Sequence, residues 1–195
     1  MSQVDFFNSV AENWDNMIEV NEAKINYLIS KLKIKEDDNI LDIGTGTGVL
    51  IPYLSKLVSN GSVKGVDISE GMLNVAKEKF KNLSNVSFDL VNVESDKINC
   101  KYDKIMLYSM YPHLENKTQT IKKLVQNNLN DNGILMIAHS NSREFLNNMH
   151  KNADESVSES ILIEVNKQKE IFIDAGLNVT NAFEDDEMYY LTIQN

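Results

Sequence analysis

The spacing of hydrophobic positions changes along the chain, and each change marks an element. Over residues 5–15 and 21–33 apolar side chains recur at helical spacing. Ile25, Leu28, Ile29 and Leu32 fall at i, i+3, i+4 and i+7, one apolar face. After the charged run Lys35-Glu36-Asp37-Asp38 comes a short apolar run, Ile40-Leu41-Asp42-Ile43, closed by glycines, which reads as a buried strand. The pattern then predicts a helix over about Val49–Leu57, a turn at Asn60-Gly61, and a strand over Val63–Ile68. A helix over Glu70–Phe80 follows, with Ser69 placed to cap it. Val86–Val91, Tyr102–Ser109 and Ile134–His139 read as three further strands. Thr118–Leu129 reads as a helix, and Asp131-Asn132-Gly133 as the turn after it. Arg143–Val157 reads as a helix and then a loop. A helix over about Ser158–Ala175 stops at Gly176. Leu177–Phe183 and Met188–Ile193 close the chain as two strands, joined by the acidic turn Glu184-Asp185-Asp186-Glu187.

Strand and helix alternate five times, the signature of an α/β fold with a doubly wound parallel sheet. Such sheets bind ligands outside the carboxyl ends of their strands, where strand order reverses. The chain has 195 residues, two prolines and no Pro/Gly/Ser-rich linker. It is therefore expected to be one domain over 1–195, with a helical segment at 1–35 before the α/β core at 36–195. A chain of this length buries about 70% of its extended surface, enough for a core without staples.

Composition narrows the function. Apolar residues at 42% and charged residues at 25% exclude a disordered tail, a collagen-like fibre and a coiled coil. The net charge of −10 sets the surface against phosphate backbones and anionic membranes, so neither nucleic acid nor membrane is expected as a partner. Cys100 is the single cysteine, so no internal disulfide forms. Met1-Ser2-Gln3-Val4-Asp5 has no basic, apolar leader pattern, and no apolar run approaches the ~20 residues of a membrane span. A reducing cytoplasm is the expected setting.

The end of the first strand carries the chemistry: Asp42-Ile43-Gly44-Thr45-Gly46-Thr47-Gly48. Alternate glycines between a strand and a helix let a ligand lie on the backbone, and the helix start is expected to offer N–H groups to it. Asp67 ends the second strand 19 positions after Gly48, where a carboxylate can accept from both hydroxyls of a ribose. In the dinucleotide fingerprint, counted from Gly44, the third glycine would fall at Val49, where a side chain crowds a pyrophosphate. Asp42 puts negative charge beside the loop, which repels a pyrophosphate and attracts an ammonium. The better match is a nucleoside with a cationic tail and no phosphate.

In these motifs the chain resembles the class I S-adenosylmethionine-dependent methyltransferases. Leu41-Asp42-Ile43-Gly44-Thr45-Gly46-Thr47-Gly48 looks like their first motif, and Gly65-Val66-Asp67-Ile68-Ser69 with Met72-Leu73 looks like their second. The opener Phe7-Asn8-Ser9-Val10-Ala11-Glu12-Asn13-Trp14-Asp15 and Asn132-Gly133 are most similar to the small-molecule group around the ubiquinone/menaquinone methyltransferases. The resemblance implies a Rossmann-like seven-stranded sheet, mostly parallel with an antiparallel last strand, helices on both faces, and S-adenosyl-L-methionine as cofactor. It implies that Gly44, Gly46 and Gly48 line the methionine part and the ribose, that Asp67 holds the ribose hydroxyls, and that Ile68 and Met72 pack on the adenine. Asn92, with Val93 beside it, stands where the family commonly bonds the adenine amine. Tyr108 and Ser109 end the fourth strand beside the sulfonium.

Methyl transfer to a small molecule is then the expected reaction. It is an in-line attack on a sulfonium methyl, so positioning carries much of the rate and a base is needed only for a protonated nucleophile. His113 follows the fourth strand and His139 ends the fifth, at the rim where an acceptor must sit. With Tyr108 they are the candidate catalytic residues, an imidazole near its ordinary pKa of about 6.5 suiting a base. Three histidines on three loops, His150 being the third, also allow a metal that holds the acceptor, though their spacing names no metal. The resemblance implies that residues 1–35 fold over the site as an N-terminal helical lid, in which Trp14, with Phe6 and Phe7, offers a ring face to the sulfonium. Trp14 and His150 are the candidate acceptor contacts, and one of Tyr189 and Tyr190 faces the pocket by strand alternation. Ser109-Met110-Tyr111-Pro112 departs from the Asn/Asp-Pro-Pro-Tyr of enzymes that methylate base or amide nitrogen. Two other readings stand beside this one: a ligand or metal sensor on the same fold, and a nicotinamide-dependent oxidoreductase. The acceptor, the atom methylated and the oligomeric state stay open.

Overall fold

The computed structural model describes residues 2–151 and 160–195. Its strands are β1 (Asn39–Ile43), β2 (Ser62–Asp67), β3 (Val86–Leu90), β4 (Tyr102–Tyr108), β5 (Leu129–His139), β6 (Asn178–Glu184) and β7 (Tyr189–Gln194). They form one seven-stranded sheet in the order β3-β2-β1-β4-β5-β7-β6. The first five strands pair in parallel, and β7 runs antiparallel between β5 and β6. Strand order reverses between β1 and β4, which puts the binding crevice at the carboxyl ends of these two strands.

The helices are α1 (Gln3–Val10), α2 (Trp14–Met17), α3 (Glu22–Ser30), α4 (Ile51–Leu57), α5 (Glu70–Lys79), α6 (Lys117–Asn128), α7 (Arg143–Lys151) and α8 (Val165–Asp174). They cover both faces, and strand alternation decides which side chains each face receives. On one face Leu41, Ile43, Ile105, Leu107, Leu135 and Ile137 pack with Ile121, Leu124, Leu146 and Phe172 from α6, α7 and α8. On the other, Ile40, Met106, Met136 and Ala138 pack with Ile25, Leu28, Ile51 and Leu54 from α3 and α4. No described helix is long and apolar enough to cross a membrane.

Three sequence expectations change, and the helix expected from Arg143 holds. The first helix starts at Gln3, because Ser2 and Asp5 cap each other's backbone N–H, and it breaks at a 3-10 turn over Ala11–Asn13 before α2. The helix expected from Ser158 begins at Val165; Ser158 and Glu159 lie outside the described residues. Ser160–Glu164 stays extended because its backbone bonds elsewhere: Leu162 exchanges hydrogen bonds with the Asn147 side chain (2.8 and 2.9 Å). The ambiguous 143–157 segment opens with α7, and 152–157 lie outside the described residues. The turn at Asp131-Asn132-Gly133 sits inside β5 as a bulge, the register passing from Tyr102↔Leu129 to Lys104↔Ile134 with Asn132 at φ 62°.

Phe172 is fully buried and meets the Tyr111 ring edge-on at 6.1 Å. Truncation to Ala leaves a cavity between α8 and the sheet, and we expect Phe172→Ala to cost about 3–5 kcal/mol in urea unfolding.

Candidate active site

The carboxyl ends of β1, β2, β4 and β5 carry the glycine loop, Asp67, Tyr108-Ser109 and His139 respectively, so the crevice gathers the residues that the sequence singles out. Gly44, Gly46 and Gly48 all have positive φ (67°, 56° and 87°), a conformation that disfavours a side chain. Their roles differ. A Cβ on Gly44 would lie 2.6 Å from that of Met110, and one on Gly48 would lie 2.4 Å from the Phe80 ring. At these two positions the space that a side chain would take is filled by the chain itself, so glycine there permits close packing. Gly46 is the open position: a Cβ there would meet only the Trp14 indole nitrogen, at 3.9 Å.

Four N–H groups of the loop are already used. Gly44 and Thr45 donate to the Val66 carbonyl (2.8 and 3.1 Å), Gly48 to that of Thr45 (2.9 Å), and Gly46 to the Asp67 carboxylate (2.8 Å). The helix start offers little more than the loop does. Ile51 and Tyr53 donate to Gly48 and Leu50, and Pro52 has no N–H. The expected phosphate-style donors are therefore absent at these positions, and a ligand here meets glycine backbone and a carboxylate.

Asp67 accepts from Gly46 and from Ser69 N–H (2.9 Å), which holds both oxygens at the loop with lone pairs to spare. Burial raises its pKa against those hydrogen bonds. Asp42 is buried on the α4 side of β1 and accepts from the Thr45 hydroxyl at 2.7 Å. Burial, with Asp67 nearby, pushes its pKa up to about 7, so the fixed negative charge expected beside the loop is half neutralised at pH 7. Ile68 is half-buried and Met72 buried beyond β2. Asn92 is exposed, and its side-chain oxygen accepts from Glu94 N–H (3.0 Å) in its own turn, while Val93 belongs to the core.

The amino-terminal segment lies over this edge. The Asn8 side-chain oxygen accepts from the Ser69 hydroxyl (2.8 Å) and Gly71 N–H (2.9 Å) at the start of α5. Asp15 accepts from the Thr47 hydroxyl and from Lys79, each at 2.5 Å. Neither residue was singled out for such contacts in the sequence, since both bonds join segments far apart in the chain. Trp14 meets Phe7 edge-on at 5.8 Å, and Phe7 meets His113 at 5.6 Å, so an aromatic row runs from Gly46 to the histidines.

The histidines converge. His113 and His150 lie 5.1 Å apart between ring centroids. The Ser160 hydroxyl lies 2.9 Å from His113 Nδ1, and the Ser160 carbonyl accepts from His150 Nδ1. His139 stands opposite Tyr189 in the β5–β7 ladder, with rings 6.0 Å apart. Tyr189 thus faces the pocket side, whereas Tyr190 packs on Phe183 and Tyr27. Tyr108 takes the other face of the sheet, its hydroxyl 2.7 Å from that of Ser140. Burial lowers the pKa of all three histidines, that of His139 to about 3. This corrects the picture of a base near its ordinary pKa: His139 is a neutral hydrogen-bonding group. Among the described residues no three His, Cys, Asp or Glu side chains are placed to share a metal ion. Sequence reasoning missed Ser160 and Tyr111, which carry no motif and reach the cluster only through the fold. The hydroxyls of Tyr111 and Tyr189 and both ring nitrogens of His139 are buried without a partner among the described residues. Each such atom costs on the order of 1–3 kcal/mol.

Comparison with known proteins agrees with this geometry. A family model described as a methyltransferase domain matches residues 34–186. The malonyl-[acyl-carrier protein] O-methyltransferase of Acetivibrio thermocellus is 32% identical over 131 residues, covering 66% of this chain and 46% of that protein. The chain spans about half the length, or less, of the curated relatives it matches. The fold is shared with a SAM-dependent methyltransferase from Aquifex aeolicus (TM-score 0.74, 22% identity, 96% and 97% of the two chains). It is also shared with DhpI solved with SAH (TM-score 0.74, 15% identity, 98% and 94%).

The raised pKa of Asp42 has a sign. The stability contributed by its neutral carboxyl is fully present below about 3.8 and is lost as the pH rises toward and through about 7. Asn keeps the acceptor for Thr45 without titrating. We expect the urea midpoint of Asp42→Asn to fall less than wild type between about pH 4.5 and about pH 8. Equal slopes would remove Asp42 as the cause.

Proposed function

The chain belongs to the methyltransferase-domain family, and from that membership we propose that it moves the methyl group of S-adenosylmethionine to a small-molecule acceptor. The observation that carries the reading is the loop in which the N–H groups of Gly44, Thr45, Gly46 and Gly48 are spent while Gly46 stays open beside Asp67. That arrangement suits a ribose laid on backbone and carboxylate and gives a pyrophosphate little to hold, which also counts against a nicotinamide cofactor.

The residues present fit the cofactor. Gly46 gives the backbone approach, Asp67 accepts from the ribose hydroxyls, Ile68 and Met72 supply apolar surface for the base, and Asp42 offers a carboxylate that a cation would draw back into its charged form. When bound, the cofactor supplies an electrophilic methyl on a sulfonium. Trp14 and Phe7 exclude water above the loop and present ring faces to positive charge. The histidine side of the crevice orients the acceptor, with His113 and His139 as neutral hydrogen-bonding groups, because much of the rate comes from holding two reactants in line. A cytoplasmic setting is part of the same reading, supported by the exposed free thiol of Cys100.

Calorimetric titration with S-adenosylhomocysteine is expected to give micromolar binding, with NAD giving none. Binding of NAD alone would reverse the assignment. Asp67→Ala is expected to weaken S-adenosylhomocysteine by more than about tenfold, the scale of one lost charge-assisted hydrogen bond. Unchanged affinity would end the ribose role.

A further inference from the structure

We infer that Tyr111, His139 and Tyr189 form a buried subsite for the uncharged, hydroxyl-bearing head of the methyl acceptor. The inference deepens the proposed function and rests on it for naming the occupant. Its basis is an imbalance. The three side chains are 1%, 1% and 0% exposed, yet among the described residues both hydroxyls and both imidazole nitrogens lack partners. They form one group: His139 and Tyr189 are paired across β5 and β7, and Tyr111 lies within electrostatic reach of Tyr189. Buried polar atoms in folded proteins are nearly always satisfied, so four orphans in one place mark a ligand's hydrogen bonds.

The position assigns the occupant to the second reactant. His113 borders the group, and the row Phe7–Trp14 joins His113 to the open glycine of the loop. The chemistry assigns its class. The phenols and one imidazole N–H donate, and the other imidazole nitrogen accepts. A hydroxyl satisfies both sides, donating to the imidazole and accepting from a phenol. The charged neighbours leave no net field for an ion. Arg143 and Glu184, which face Tyr189, are paired with each other at 3.0 Å. Lys117, which faces His113, donates to the Leu114 carbonyl and has the Glu94 carboxylate as its counter-charge. A carboxylate, phosphate or ammonium head would enter without a counter-charge and is excluded by desolvation.

The probe is phenol, with benzoate and benzylamine as charged counterparts, titrated into full-length ¹⁵N-labelled protein loaded with S-adenosylhomocysteine. The imidazole resonances are assigned by His→Gln variants one at a time. Phenol is expected to shift His139 saturably, the charged probes are not, and Tyr111→Phe or Tyr189→Phe is expected to weaken phenol about tenfold. In the ligand-free protein each Tyr→Phe change removes an unsatisfied hydroxyl, so its melting temperature holds or rises. A fall of several degrees would mean that the hydroxyls are already bonded through buried water, and it would overturn the subsite. So would an unmoved His139, or equal shifts by benzoate or benzylamine. If S-adenosylhomocysteine fails to bind while phenol still moves His139, the methyl-transfer reading falls and the subsite stands. If it binds and phenol does nothing, the subsite alone falls.

Discussion

The carboxyl edge of the sheet depends on how closely the chain approaches itself after β1. Gly44 admits the Met110 side chain where any Cβ would overlap it, and Gly48 does the same for Phe80. These two contacts bring the end of β4 and the end of α5 against the loop. They leave Gly46 as the uncovered turn, its N–H turned to Asp67. The same closeness takes up the N–H groups of Gly44, Thr45 and Gly48, which donate to the Val66 and Thr45 carbonyls. One steric constraint therefore sets both the shape of the crevice and the kind of ligand that suits it.

The amino-terminal segment shares that constraint. A Cβ on Gly71 would press on Asn8 and Ala11 at 3.1 and 3.2 Å, so the start of α5 accepts α1 only because it carries glycine. Asn8 then completes the donors at that helix start, and Asp15 reaches across to Thr47 and Lys79. The segment is tied to the loop and to the helix beyond β2 at once, and it brings Trp14 over Gly46.

The fold was legible because its signals are local. Strands that are buried on both faces read as apolar runs, and β1 and the second half of β4 appear as such. The motif Gly44 to Gly48 needs positive φ at each glycine, and the structure has it at all three. The divided roles of these glycines were not legible, because Met110 and Phe80 lie 66 and 32 positions from their partners. The helix boundary at Val165 was missed for the same kind of reason: Asn147 and the histidines claim the backbone and side chain of the preceding segment. Helical spacing cannot register such competition.

The sequence by itself determined the alternating architecture, the nucleoside-type loop with its carboxylate, and the histidines at the rim, since periodicity, glycine spacing and strand-end position are local properties. Tertiary structure alone decided the chemical state of those groups. Burial raised Asp42 to about 7 and lowered His139 to about 3. It also set Tyr108 and His139 on opposite faces and gathered Tyr111, Tyr189 and Ser160 around the histidines. Proton affinity and hydrogen-bond satisfaction depend on what surrounds an atom in three dimensions, and a residue's neighbours along the chain do not specify that.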